Sequence, residues 1–223
     1  YYTRDDIIIE ILRQQLSDGG FALSGKVSDP DITAMAVQAL APYYNDEKNY
    51  TYKQKTSGEE VTRTVRQIID EALACLSELQ LGTGDFASWG TENVESTDQV
   101  VVALCCLGID PLTDARFIKN GNTLLDGILL YRMADGGFVH SFLYDPENPT
   151  ALPDQSNTMA GEQALYTMAA LWRRQKGMPE NRAISRMLPP TDTPSRNSSF
   201  RERAHPSKFM FHSNSDMIRM WIK

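Results

Sequence analysis

Apolar positions fall at helical spacing in several separate stretches of the chain. Ile8, Ile11 and Leu12 predict a first helix over Asp5–Leu16. Asp18-Gly19-Gly20 stops it, because glycine supplies the left-handed backbone that a helix end wants. Asp29-Pro30-Asp31 opens a second helix that runs to about Leu40 or Tyr43, where Pro42 helps to end it. Asn45–Gly58 reads as a polar connection. Glu59–Leu81 reads as a long amphipathic helix with Val61, Val65, Ile68, Ile69, Ala72, Leu73, Leu76 and Leu79 inward. After a turn at Gly82–Trp89, Ser96 or Thr97 caps a short fourth helix, Asp98–Leu107. Thr113–Met133 holds a fifth. Phe138–Pro153 is a longer excursion, and Ser156 or Asn157 caps a sixth helix that reaches about Lys176. No stretch keeps strand alternation for long, so the expected fold class is all-α.

The connections repeat. Gln-Leu-Ser-Asp-Gly-Gly-Phe at Gln15–Phe21 returns as Ala-Asp-Gly-Gly-Phe at Ala134–Phe138, with a worn copy, Gly-Thr-Gly-Asp-Phe, at Gly82–Phe86. Gly19, Gly20, Phe21, Gly84, Phe86, Gly136, Gly137 and Phe138 define the repeat. Each copy leads to a Thr followed six and seven residues later by Ala-Leu, namely Thr33/Ala39/Leu40, Thr97/Ala103/Leu104 and Thr158/Ala164/Leu165. A fixed internal repeat decides the architecture. Three inner and three outer helices are expected over residues 1–176, with Ala39, Ala103 and Ala164 at close inner contacts. From 177 to 223 the texture turns to scattered Pro, Ser and Arg, read as a basic, poorly ordered tail with apolar islands at Phe209–Phe211 and Met217–Ile222.

Charge narrows the function classes. The chain carries a net charge of −7, divided unevenly: residues 1–172 hold 11 Lys+Arg against 25 Asp+Glu, and residues 173–223 hold 11 against 4. An acidic body argues against nucleic acid as a partner. No apolar run is long enough to span a membrane. Cys75, Cys105 and Cys106 lie inside helical runs and form no disulfide framework. The chain opens on Tyr1 and is read as a fragment or a processed product.

The Gln-x-x-Asp-Gly-Gly-Phe turn and the Thr-started helix together carry a resemblance to known proteins. The body resembles the α/α-toroid repeats of the terpenoid cyclase and protein prenyltransferase superfamily, over about residues 5–175. It is most similar to bacterial prenyltransferase/squalene-oxidase-repeat proteins, many of them secreted or on the cell surface; the vitamin B12 carriers share the repeat. The resemblance implies a partial α/α toroid whose glycine turns and inner-helix starts surround a cavity mouth. It also implies an extracellular or cell-surface location, and further repeats or another chain covering an open edge.

The superfamily's chemistry is mostly missing. Prenyltransferases bind zinc through Asp, Cys and His near the inner-helix starts. The matching places here, Asp31–Met35, Glu95–Gln99 and Ser156–Ala160, hold no Cys or His, so no metal and no cofactor is expected. The Asp-x-Asp-Asp proton donor of squalene-type cyclases is absent, and Asp29-Pro30-Asp31 reads as helix-start acids. Gly161-Glu162-Gln163 lacks the cysteine that a thioester motif needs. The expected function is a non-catalytic binding module. The alternatives are an enzyme of the cyclase or prenyltransferase kind with its catalytic residues in missing repeats, and a structural surface spacer. No catalytic residue is assigned. Candidate ligand contacts are Trp89, His140 and Tyr144 on loops, and Asp31, Thr33, Thr97, Asp98, Asn157 and Thr158 at the inner-helix starts; ordinary loop packing and helix capping are the competing roles.

Overall fold

The computed structural model describes residues 2–146 and 148–178; the tail expected over 177–223 lies almost wholly outside them. Among the described residues there are six helices: α1 (Arg4–Leu12), α2 (Pro30–Leu40), α3 (Val65–Leu79), α4 (Val94–Cys106), α5 (Leu124–Leu129) and α6 (Thr158–Gln175). Four strands form two antiparallel hairpins, β1 (Asn49–Lys53) with β2 (Glu60–Thr64), and β3 (Phe86–Ser88) with β4 (Thr91–Asn93).

The hairpins overturn the all-α toroid expected from the sequence; the chain is a mixed α/β structure. The reason is local. Tyr50 and Tyr52 are buried while Asn49, Thr51 and Lys53 face solvent, an alternation only five residues long. Across from it, Val61-Thr62-Arg63-Thr64 is rich in β-branched residues and pairs Tyr52 with Val61. The long helix expected from Glu59 therefore starts at Val65, behind a capping box in which Thr64 and Gln67 satisfy each other's backbone N–H. The fifth helix is also shorter than expected. Ala115–Phe117 is a single 3₁₀ turn, and Thr123 then caps the six-residue α5.

The glycine turns do repeat, down to individual hydrogen bonds. The N–H groups of Leu16, Leu81 and Met133 donate to the carbonyls of Gly20, Asp85 and Gly137, at 2.8, 2.9 and 2.8 Å. In return Gly19, Gly84 and Gly136, all at positive φ, donate to the carbonyls of Leu16, Leu81 and Met133. The Gln15 amide holds the Gly19 carbonyl and reaches Ile68 of α3; the Gln80 amide holds the Gly84 carbonyl and reaches Phe117. Each of the first two turns thus packs onto the leading helix of the next copy. Gly19 lies against the Glu71 carbonyl of α3, and Gly84 against Thr123 and Gly127 at the start of α5.

The Thr/Ala-Leu register holds for two copies and fails in the third. The Thr33 hydroxyl accepts from Phe21 N–H at 2.9 Å, and the Thr97 hydroxyl accepts from Phe86 N–H at 3.2 Å. Both threonines are fully buried clasps on the turn rather than helix caps. Thr158 is exposed at the first residue of α6. Leu40 and Leu104 are buried, whereas Leu165 is 72% exposed. The caps give the true alignment: Asp29, Asn93 and Asn157 stand 64 positions apart. On that alignment Gly161, not Thr158, matches Thr33 and Thr97, and Thr167 matches Ala39 and Ala103. Ala103 and Ala164 are buried, while Ala39 is half-buried.

Helix α4 packs against both α2 and α6. A row of amides crosses the three: Gln38 donates to Gln99, and Gln99 donates to Gln163 at 2.8 Å. The core between them holds Ile32, Val37, Val100, Val101, Leu104, Ala160 and Ala164.

Candidate functional site

The starts of α2, α4 and α6 are each built the same way. Asp29 accepts from Ile32 N–H, Asn93 from Ser96 N–H, and Asn157 from Met159 and Ala160 N–H, satisfying donors that a helix leaves unpaired at its first turn. Asn93, not Ser96 or Thr97, is therefore the cap of α4. Two further bonds tie the starts together. Ser88 of β3 donates its hydroxyl to the Asp29 carboxylate, and Val94 N–H donates to the His140 carbonyl at 3.2 Å. The second hairpin and the chain after the third turn therefore lie beside the first turns of α2 and α4.

That arrangement gathers acids. Asp31 and Glu95 occupy the same position after their caps, on α2 and α4. Glu95 is 5% exposed, and its Oε2 meets His140 Nδ1 at 2.8 Å. This hydrogen bond to a carboxylate raises the affinity of His140 for its proton, against the opposing effect of burial; the charges of Asp145 and Asp31 add to the rise. Burial pushes the Asp31 carboxyl up to about 6, with Asp29 and Glu95 raising it further and the Ser96 and Ser88 hydroxyls pulling it back. One turn below Glu95, Asp98 is 1% exposed, and burial pushes its carboxyl up to about 8 despite the nearby Thr167 hydroxyl. A carboxyl in such surroundings holds its proton at neutral pH.

Around this cluster stand exposed aromatics. Trp89 and Gly90 form the two-residue turn of the β3–β4 hairpin, with φ of 53° and 81°. Both central residues of such a turn need positive φ, and Asn and Gly are the usual occupants. A tryptophan there, 76% exposed, carries backbone strain with little burial in return. Phe142, Leu143 and Tyr144 are more than half exposed. Phe142 stacks on Tyr131 with ring centroids 5.4 Å apart, and the Tyr131 hydroxyl donates to Asp85 at 2.6 Å, so this loop is fastened to the second turn.

The structure thus brings Asp31 and His140 together around Glu95, with Trp89 one residue beyond Ser88, while Asp98 lies one turn further along α4 beside Thr167. Thr33 and Thr97 are committed to their turns. Asn157 caps α6 and Thr158 begins it, and neither makes a contact with the cluster that distinguishes it from an ordinary helix start. His140, expected as a partly exposed loop contact, is mostly enclosed and is the partner of a buried carboxylate, so its removal would also disturb folding. Sequence reasoning passed over Glu95, Asp29, Ser88 and Phe142. The signal in the sequence is the shared offset of Asp31 and Glu95, each two residues after its cap and two before the threonine of its copy.

Among the described residues no group of three or more His, Cys, Asp and Glu side chains is placed to hold a metal ion. Cys75 and Cys105 are buried, and burial pushes the Cys105 thiol up to about 12, which keeps it protonated and unreactive. No helix among them is long and apolar enough to cross a membrane. No family model, curated protein or solved structure matches the chain.

Proposed function

We propose that the protein is a non-catalytic binding module whose ligand sits at the starts of α2 and α4, between the β3–β4 hairpin and the loop that follows His140. The carrying observation is Trp89, a large exposed side chain held in a left-handed backbone next to a buried acid cluster. Strain without burial gives the folded state nothing, so it points to a contact made with something else. The neighbouring Phe142–Tyr144 loop offers a second apolar surface.

Trp89→Asn separates the two roles. Asparagine suits the turn, so the variant should gain about 0.5–1 kcal/mol in urea denaturation. Chemical-shift mapping with a panel of small soluble fragments should show perturbations at residues 86–97 and 140–145 in the parent, and these should fade in the variant. Perturbations confined to the C-terminal ends of the helices, or unchanged by the substitution, would place the site elsewhere.

The protonated Asp98 favours a second reading, an acid catalyst of the cyclase kind. Its place counts against that role: Asp98 lies one turn further along α4 than Glu95, away from the helix starts and beside Thr167 of α6, and a proton donor must reach its substrate.

A further inference from the structure

We infer that the ligand bears a protonated amine, seated against the free carboxylate oxygens of Asp31 and Glu95 with its apolar part toward Trp89. This rests on the binding reading above and names the ligand's chemical class.

Asp29 spends its two oxygens on Ile32 N–H and Ser88. Glu95 spends Oε2 on His140. What remains is Asp31 Oδ1 and Glu95 Oε1, neither of which meets a hydrogen-bond donor among the described residues. Glu95 is 5% exposed and Asp31 is half-buried, so these are enclosed acceptors rather than groups that bulk water satisfies. Buried acceptors left unpaired are costly and are uncommon outside functional sites. The groups facing them are Asp29, Ser88 and His140 near Asp31, Ser96 beside it, Thr167 by Asp98, and Asp145 near His140. The one basic side chain in that set, His140, engages a single oxygen of Glu95.

An ammonium group matches this inventory. It offers three donors and a positive charge in a small volume, and the acidic body draws it in. An anionic ligand meets like charge. A neutral hydroxyl donates once and leaves the charges uncompensated. A cation next to Glu95 also favours the ionised form of Asp98, so binding at neutral pH releases a proton.

Three ring-matched probes test this by calorimetry at pH 7: 2-phenylethylamine, 2-phenylethanol and phenylacetate, each in phosphate and in Tris. The amine should bind about tenfold or more tightly than the alcohol, and phenylacetate most weakly. The buffers should disagree in heat for the amine alone, reporting proton release. Glu95→Gln should erase the amine's advantage. Asp31→Asn, at a less enclosed site than Glu95, should reduce it. Asp98→Asn should keep the advantage but reduce the buffer dependence, leaving only the share that Asp31 and His140 release. If the alcohol and acid shift Trp89 and the amine has no advantage, the amine is wrong and the site stands. An amine preference that survives in both Glu95→Gln and Asp31→Asn also overturns the inference, since the cation then binds elsewhere. No shift at residues 86–97 with any probe overturns both readings.

Discussion

Gly84→Ala should cost about 4 kcal/mol or more in urea denaturation and leave little folded protein at 37 °C, whereas Gly136→Ala at the equivalent turn should cost only about 1 kcal/mol. Both glycines have positive φ, 96° and 89°, so the backbone penalty is shared. The neighbours differ. A Cβ on Gly84 would run into the Thr123 carbonyl and the backbone of Gly127, groups that begin α5 and cannot swing aside. A Cβ on Gly136 meets nothing within 4 Å. The reciprocal substitution Gly127→Ala would strike the Gly84–Asp85 backbone at 2.5–2.6 Å and should be comparably severe. Equal costs at Gly84 and Gly136 would mean that torsional strain alone governs the turns and that the stacking of turn on helix adds nothing.

Asp98→Asn should stabilise the protein at alkaline pH, by on the order of 3 kcal/mol at pH 8, and change little at pH 4. In the folded chain the carboxyl keeps its proton to about pH 8, while in the unfolded chain it gives it up near the ordinary carboxylate value of 3.8. Between those limits the folded state holds the extra proton, so stability falls as pH rises. Asp31, raised to about 6, adds to the fall over the lower part of that range. His140 works in the same direction at the upper end. Its folded pKa is raised, so its ion pair with Glu95 is fully in force below the ordinary histidine value and is lost as pH climbs through the raised one. Asparagine matches the neutral carboxyl in shape and has no proton to lose. Thermal melts of parent and variant at pH 5 and pH 8 check this. A gap that does not widen with pH would mean that Asp98 is already ionised in the folded chain.

The turns were legible in the sequence because glycine at positive φ leaves a local signature, and the three copies at Gly19, Gly84 and Gly136 carry it in place. The helices that follow were legible as helices. Their third register was not, since Thr158 imitates the pattern of Thr33 and Thr97 without their tertiary bond to the turn. The β1–β2 hairpin escaped because a five-residue alternation such as Asn49–Lys53 looks like a polar loop until its partner is known, and Val61 fits a helical face as readily as a strand. The acid cluster was half visible. Asp31 and Asp98 stood out, but nothing local shows that Glu95 lies across from them, or that Ser88 and His140 close the group. Those proximities depend on which helices pack together, and the chain separates Asp29 from Ser88 by 59 residues.

The central place of α4 has a consequence for how the molecule breathes. Amide hydrogens of α4, hemmed in by α2 and α6, should exchange with solvent only when much of the domain opens at once. Those of α6 line an outer margin where Leu165 and Trp172 already face water, and they should be released in a smaller, cheaper opening that leaves α2 and α4 protected. Asp98 sits on the boundary between these two units, where Thr167 donates to its carbonyl. Loosening of α6 alone would therefore expose that carboxyl to water, letting it trade its proton in an excursion far short of global unfolding.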